Sequence, residues 1–169
     1  MRFFRRGDSA RARALSAVLP ERIGVYALLP RAGSVLLTWR DAPYAEWQLP
    51  GGAPYPRESR LRALHREANE ETGWRIAALR LLGSCRTISN SRARGSWVRK
   101  TVHVYVARPV RLVGTPERDH SAHWVPLVEA VDLLACPAQA EIARRFAGLS
   151  GPRHAVRRRI PTRGMPHRR

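Results

Sequence analysis

Glu58, Glu67, Glu70 and Glu71 fall within residues 58–71 of a chain that has only 13 acidic residues among 169. On a helix, Glu67 and Glu71 stand one turn apart, a like-charge pair unfavourable by ~0.2–0.5 kcal/mol. Glu70 lies against both. A local rule broken in this way marks a functional site when a ligand supplies the compensation, and the simplest such ligand is a cation. Mg²⁺ takes hard oxygen donors, keeps several waters, and is held by a few carboxylates together with substrate phosphates. Gly51-Gly52 just before the cluster gives a backbone without Cβ that a ligand can approach closely, and the Gly51 carbonyl can add an oxygen.

The elements that must hold these groups are legible in outline. Residues 57–72 carry Leu61, Leu64 and Ala68 at helical spacing, and Gly73 is placed to end that helix. The glutamates are expected on the opposite face. "RIGVYALLP" (22–30) and "SVLLTWR" (34–40) are apolar β-type runs with "RAG" as the turn of a hairpin. "WQLP" is a short extended piece stopped by Pro50. "RIAALRLLGSCRTIS" (75–89) and "SWVRKTVHVYVARPV" (96–110) are two longer strands joined by the polar "NSRARG", and Val102, Val104 and Val106 alternate with His103 and Tyr105. A polar loop leads to the short strand "AHWVP". "LVEAVDLLA" and "AQAEIARRFAG" are helical and separated by Pro137. Strands on either side of one helix, with helices at the end, imply a mixed sheet between helical layers.

Spelled by spacing, the stretch is Gly52, five residues, Glu58, seven residues, Arg66-Glu67-Ala68, one residue, Glu70-Glu71, one residue, Gly73. This resembles the Nudix box, the signature of hydrolases that cleave nucleoside diphosphates linked to another group. At ordinary residue usage, a chance match of all seven fixed positions is on the order of 10⁻⁸ per starting point. "WQLPG" before the box and "HWVP" followed by a helix after it are also similar to the family. Trp74 departs from the pattern, where an aliphatic residue is usual, and Ala68 fills a slot often held by something larger.

The resemblance implies an α/β fold of the Nudix type, an α/β/α sandwich with a mixed central sheet. It implies Glu67, Glu70 and Glu71 as ligands of Mg²⁺, or of Mn²⁺ as an alternative, with Gly51 contributing backbone. Arg66 would orient Glu70, and Glu58 would sit at the positive end of the helix. The general base would be Glu70, or else Glu117 or Asp119 in the later loop. Arg40, Arg92 and Arg94 are candidates for substrate phosphates, and Trp47 or Tyr44 for stacking on a base. Gly52 and Glu58 complete the candidate substrate-binding set with Arg40 and Trp47. Trp39 and Trp124 read as core or pocket wall, and His120 and His123 as partly exposed polar residues.

Composition bounds the rest. An apolar share of 44% fits one globular domain, and no apolar run is long enough to span a membrane. Formal net charge is +18 and uneven. Residues 1–22 hold six arginines against Asp8 and Glu21, and residues 149–169 hold seven arginines and no acid. The expected organisation is a basic arm over 1–20, a catalytic domain over 21–148, and a basic, disordered tail over 149–169. The N-terminal stretch is acid-poor and Arg-rich like a mitochondrial transit peptide, but a cytoplasmic chain is the expectation. Cys85 and Cys136, without CxxC spacing, suit buried thiols in a reducing compartment.

Three functions are therefore in play. The first is a Mg²⁺-dependent hydrolase of a pyrophosphate bond in a small-molecule nucleotide or nucleotide conjugate. The second uses the same chemistry at the 5′ end of an RNA, held by the basic arms. The third is a non-catalytic nucleotide-binding regulator, against which the intact set of glutamates argues. If the C-terminal arginines bind phosphates, affinity for RNA falls steeply with salt. Deleting residues 150–169 is then expected to flatten that salt slope in a filter-binding titration while leaving small-nucleotide turnover unchanged. A change in small-nucleotide turnover on deletion would show that the tail acts on the active site itself.

Overall fold

The computed structural model of the chain describes residues 19–41, 45–91 and 96–149. In chain order the elements are β1 (Glu21–Leu28), β2 (Pro30–Arg31), β3 (Ser34–Arg40), β4 (Glu46–Gln48), β5 (Gly51–Gly52), α1 (Arg60–Thr72), β6 (Trp74–Ser91), β7 (Ser96–Leu112), β8 (His120–Pro126), α2 (Leu127–Leu133) and α3 (Pro137–Phe146). One sheet has the strand order β5-β1-β7-β6 and is mixed, because β1 runs parallel to β7 while the other pairs are antiparallel. In the second sheet β3 pairs antiparallel with β2, β4 and β8. The α/β/α sandwich expected from the sequence is present, with its strands divided between two sheets.

Strand alternation divides the core in two. Val25, Ala27 and Leu29 point with Leu36 toward Ala63, Leu64 and Ala68 of α1. Tyr26, Leu28, Val35 and Leu37 point the other way, against Val102, Val104 and the apolar faces of α2 and α3. Because β1 is buried on both faces, it behaves as an interior strand, and it takes partners on both sides, β5 and β7. The expected hairpin between residues 22–30 and 34–40 is therefore only partly formed. Ala32 and Gly33, both at positive φ, make a two-residue turn of the kind that matches strand twist. That turn joins β3 to the two-residue β2 alone, and β1 leaves for the other sheet.

The central helix also begins later than its sequence pattern suggests. Arg57 has φ +67°, which no helix accommodates, and Ser59 is the N-cap, accepting a 3.3 Å hydrogen bond from the Arg62 N–H. Gly73 closes the helix as expected, at φ +73° and ψ 0°. A Cβ there would lie 2.2 Å from the Gly114 carbonyl oxygen, so the turn fixes where the following loop returns. Leu61, expected in the core, is 48% exposed. Ala63, Leu64 and Ala68 bury instead, and the buried stripe continues into Glu71 and Thr72. Glu71 is thus on the core side of α1 and not on the face opposite it. Leu64→Ala is expected to lower unfolding free energy by about 2–5 kcal/mol through lost burial and a residual cavity, whereas Leu61→Ala should change it by less than about 0.5 kcal/mol. Urea denaturation of the two variants checks the contrast.

Candidate active site

A loop anchored at three points presents the glycine pair to the helix. The Leu49 N–H donates to Oε1 of the buried Gln139 on α3 at 2.9 Å. The Ala27 N–H donates to the Pro50 carbonyl at 2.8 Å. Gly51 and Gly52 then pair with Tyr26 and Val25. Gly51 sits at φ +146°, and a Cβ there would lie 2.1 Å from the Val25 carbonyl oxygen, so no other residue fits without displacing β1. A Cβ on Gly52 would lie 2.4 Å from Glu67 Oε1. The absent side chain is what lets the Glu67 carboxylate lie against the turn.

Glu71 is held from four directions. Its Oε2 accepts the Gly51 N–H at 2.9 Å and the Thr38 hydroxyl at 3.4 Å. Its Oε1 accepts Gln48 Nε2 at 3.3 Å, and His120 Nε2 stands 3.3 Å from the same oxygen, an ion-pair distance without the alignment of a hydrogen bond. A buried carboxylate is tolerable only with such partners. The other three glutamates gather on Arg66. Its Nε and Nη2 form a fork on Glu58 at 3.0 and 2.9 Å, and its Nη1 lies 3.0 Å from Glu67 and 2.9 Å from Glu70. The Tyr55 ring packs 3.9 Å from the guanidinium carbon, and the Tyr55 N–H donates to Glu58 at 2.9 Å.

This environment sets the titration of the cluster. The Arg66 hydrogen bond, helped by the Tyr55 N–H, lowers the pKa of Glu58. Burial raises that of Glu67 against the opposing pull of Arg66, and the neighbouring Glu71 and Glu70 charges add to the rise. The contacts to Glu58, Glu67 and Glu70 make Arg66 harder to deprotonate.

The structure brings together Gly51, Gly52, Glu58, Arg66, Glu67, Glu70 and Glu71. Glu58 immediately precedes the Ser59 cap, at the positive end of the helix, and is taken up by Arg66. Glu117 reaches the cluster through its backbone, its N–H donating to the Glu70 carbonyl at 3.0 Å. The ligand atoms of Glu117, Asp119 and His120 lie within 4.8 Å of one another. Arg40 ends β3, in register with Glu46 and His120. Trp47 packs edge-on against Trp39 and His123, at centroid distances of 5.2 and 5.3 Å. Tyr44, Arg92 and Arg94 lie outside the described residues. Sequence reasoning missed Thr38, Gln48, His120 and Gln139. None carries a local signal, because each meets the site only through strand pairing or helix packing; His120 is half-buried, in line with the partly exposed residue expected, and its contact with Glu71 is what the sequence could not show.

Residues 18–146 match the family model for the NUDIX domain. The chain belongs to the Nudix hydrolase family. It is 36% identical over 91 residues to a CMP-5′-(N-acetyl-N-hydroxy-3-aminopropyl)phosphonate hydrolase from Streptomyces rubellomurinus (strain ATCC 31215), a match over 52% of this chain and 41% of that protein. The chain thus spans less than half the length of that curated relative. Among solved structures, the MutT protein from Methanosarcina mazei Go1 superimposes with a TM-score of 0.63 at 25% identity, covering 78% of this chain and 96% of that one. A NUDIX hydrolase from Nitrosomonas europaea gives 0.63 at 18% identity, over 76% and 89% of the two chains, and shows the fold alone.

In this Nudix chain His120 makes the metal-free site sensitive to pH. Glu71 holds the His120 pKa above its ordinary 6.5, with Asp119 contributing. A histidine that binds its proton more tightly when folded adds stability that is complete below pH 6.5 and is lost as pH rises through the native value. In EDTA, the difference in thermal midpoint between the protein and its His120→Gln variant is therefore expected to shrink as pH rises from 6 toward 9. A difference independent of pH would show that the Glu71 contact carries no charge.

Proposed function

We propose that the protein is a Mg²⁺-dependent Nudix hydrolase that cleaves the pyrophosphate bond of a nucleotide conjugate, with Mn²⁺ as the alternative ion. The observation that supports the reading is the convergence of Glu67 and Glu71 on a glycine turn, with the Glu67 carboxylate seated where a Gly52 side chain would be and Glu70 tied to Glu67 through Arg66. The donors fit the ion. They are hard oxygens; burial, with the Glu71 and Glu70 charges adding to it, pushes Glu67 toward its neutral form, and a divalent cation would favour the ionised carboxylates. Glu67, Glu70 and Glu71, with the Gly51 backbone, would hold Mg²⁺, which when bound offsets phosphate charge and helps ionise the attacking water.

The protein's own groups have separate tasks. Glu71, fixed by the Gly51 N–H, sets the position of the helix relative to the turn. Arg66 holds Glu67 and Glu70 at a defined separation and is itself kept in place by Glu58 and Tyr55. Glu70 is the proposed general base: its side chain is 35% exposed, open to a water at the mouth of the cluster. Glu117, tethered to the Glu70 carbonyl, is the alternative base. Arg40 and Trp47 are proposed to contact the phosphates and base of the substrate from the end of the second sheet. A conjugate is favoured as substrate because the curated relative, by its name, acts on CMP joined to a phosphonate. An RNA 5′ end is the second reading, favoured by the seven arginines of residues 149–169.

Glu70→Gln is expected to fold normally and to lose about 10²–10⁴-fold in turnover of a nucleotide conjugate such as ADP-ribose, if it is the base. The same loss in Glu117→Gln, with Glu70→Gln near wild type, would move the role to Glu117. Independently of turnover, saturating Mg²⁺ should raise the thermal midpoint by roughly 5–10 °C, and by much less in Glu67→Gln. An equal rise in both proteins would place the ion elsewhere.

A further inference from the structure

At the C-terminal end of α1 the sequence departs from its family pattern, and a cavity lies at that place. Its volume is about 340 Å³, and it is lined by Pro30, Arg31, Trp74, Arg108, Pro109 and Val110. It shares no residue with the carboxylate cluster. Trp74 occupies the position where an aliphatic residue is usual, and its ring meets Trp124 edge-on at 6.3 Å. The Arg31 guanidinium lies 6.0 Å from the Trp74 ring and 5.7 Å from the Trp124 ring. Stacked on aromatic faces in this way, a guanidinium keeps its N–H edge available for an oxyanion.

The charge around the cavity points the same way. Among the described residues, no carboxylate lies within ion-pair reach of Arg31 or Arg108. Two arginines, two indoles and a cavity large enough for a small ligand are thus collected at one corner. Two guanidiniums recognise a phosphate through paired N–H donors, and an indole offers a flat apolar surface to a base.

We propose that this cavity is a second binding site, separate from the catalytic cluster, for a nucleoside phosphate, either free or within a single-stranded nucleic acid. Arg31 and Arg108 take the phosphate and Trp74 stacks on the base. The inference does not depend on the catalytic reading.

The test uses the full-length chain in EDTA, where the unmetallated carboxylates repel phosphate and leave this site to report alone. AMP binding is measured by calorimetry and by quenching of indole fluorescence, and a fluorescein-labelled oligo(U) by anisotropy. Arg31→Ala/Arg108→Ala is compared with Arg80→Ala/Arg86→Ala, which removes the same charge from exposed positions on β6. The first variant is expected to weaken binding at least tenfold, with less than a twofold change in the control, and Trp74→Leu to abolish the AMP-dependent quenching. Weakening with AMP identifies a free nucleotide as ligand, and weakening with oligo(U) alone identifies a strand. Equal binding by both double variants, or no binding of either probe by the wild type, would overturn the proposal. Turnover of the wild type and the Arg31→Ala/Arg108→Ala variant should agree.

Discussion

One hydrogen bond orders the site: the Gly51 N–H donating to the buried carboxylate of Glu71 at 2.9 Å. A carboxylate taken out of water is strongly unfavourable unless its oxygens are satisfied, so the helix can bury Glu71 only where the partners are already assembled. Those partners come from β3, β4, β5 and the start of β8. The contact therefore registers α1 against both sheets at once. Gly51 can supply its N–H only at a positive φ and with β1 packed against its Cα, which makes the glycine and the glutamate parts of a single constraint.

Arg66 is the second organising group, and it works by charge. Glu67, Glu70 and Glu71 lie close enough on α1 to repel one another, and Glu58 approaches from the preceding loop. Arg66 contacts three of these four, while Glu71 is left to Gly51, Gln48, Thr38 and His120. The protein thus offsets the charge of its clustered acids with its own cations. Arg66 Nη1 bridges two of the proposed ligands, a geometry that keeps Glu67 and Glu70 directed toward a common point before any ion arrives. This is preorganisation of the kind electrostatic catalysis requires.

The acids also sit in a strongly basic chain. A formal charge of +18 attracts polyanions toward the surface by long-range steering, and the concentrated negative charge of the box is a local exception that the proposed divalent cation would offset. The basic corner around Trp74 follows directly on the last turn of α1, which carries Glu70 and Glu71, so two environments that select different partners lie next to each other.

The amino-acid sequence by itself determined the chemistry of α1 and its turn. The order Gly51-Gly52, Glu58, Arg66, Glu67, Glu70, Glu71, Gly73 is local, and helical periodicity alone puts Arg66, Glu67, Glu70 and Glu71 within reach of one another; the terminating role of Gly73 follows from its freedom at positive φ. The long β6–β7 pair was legible for the same reason, since period-two alternation is a local property. Tertiary structure decided the rest. The helix pattern ran back to Arg57, but a left-handed backbone there and the Ser59 cap set the true start. Leu61 continued the apolar spacing, yet the sheets cover the face of Ala63 and Ala68. Which glutamate would be buried depended on which strand met α1, and Glu71 is buried because Thr38, Gln48, His120 and Gly51 converge on it from segments distant in the chain. Such convergence leaves no trace in spacing: a partner's position is set by strand register and layer packing, which act across the whole fold.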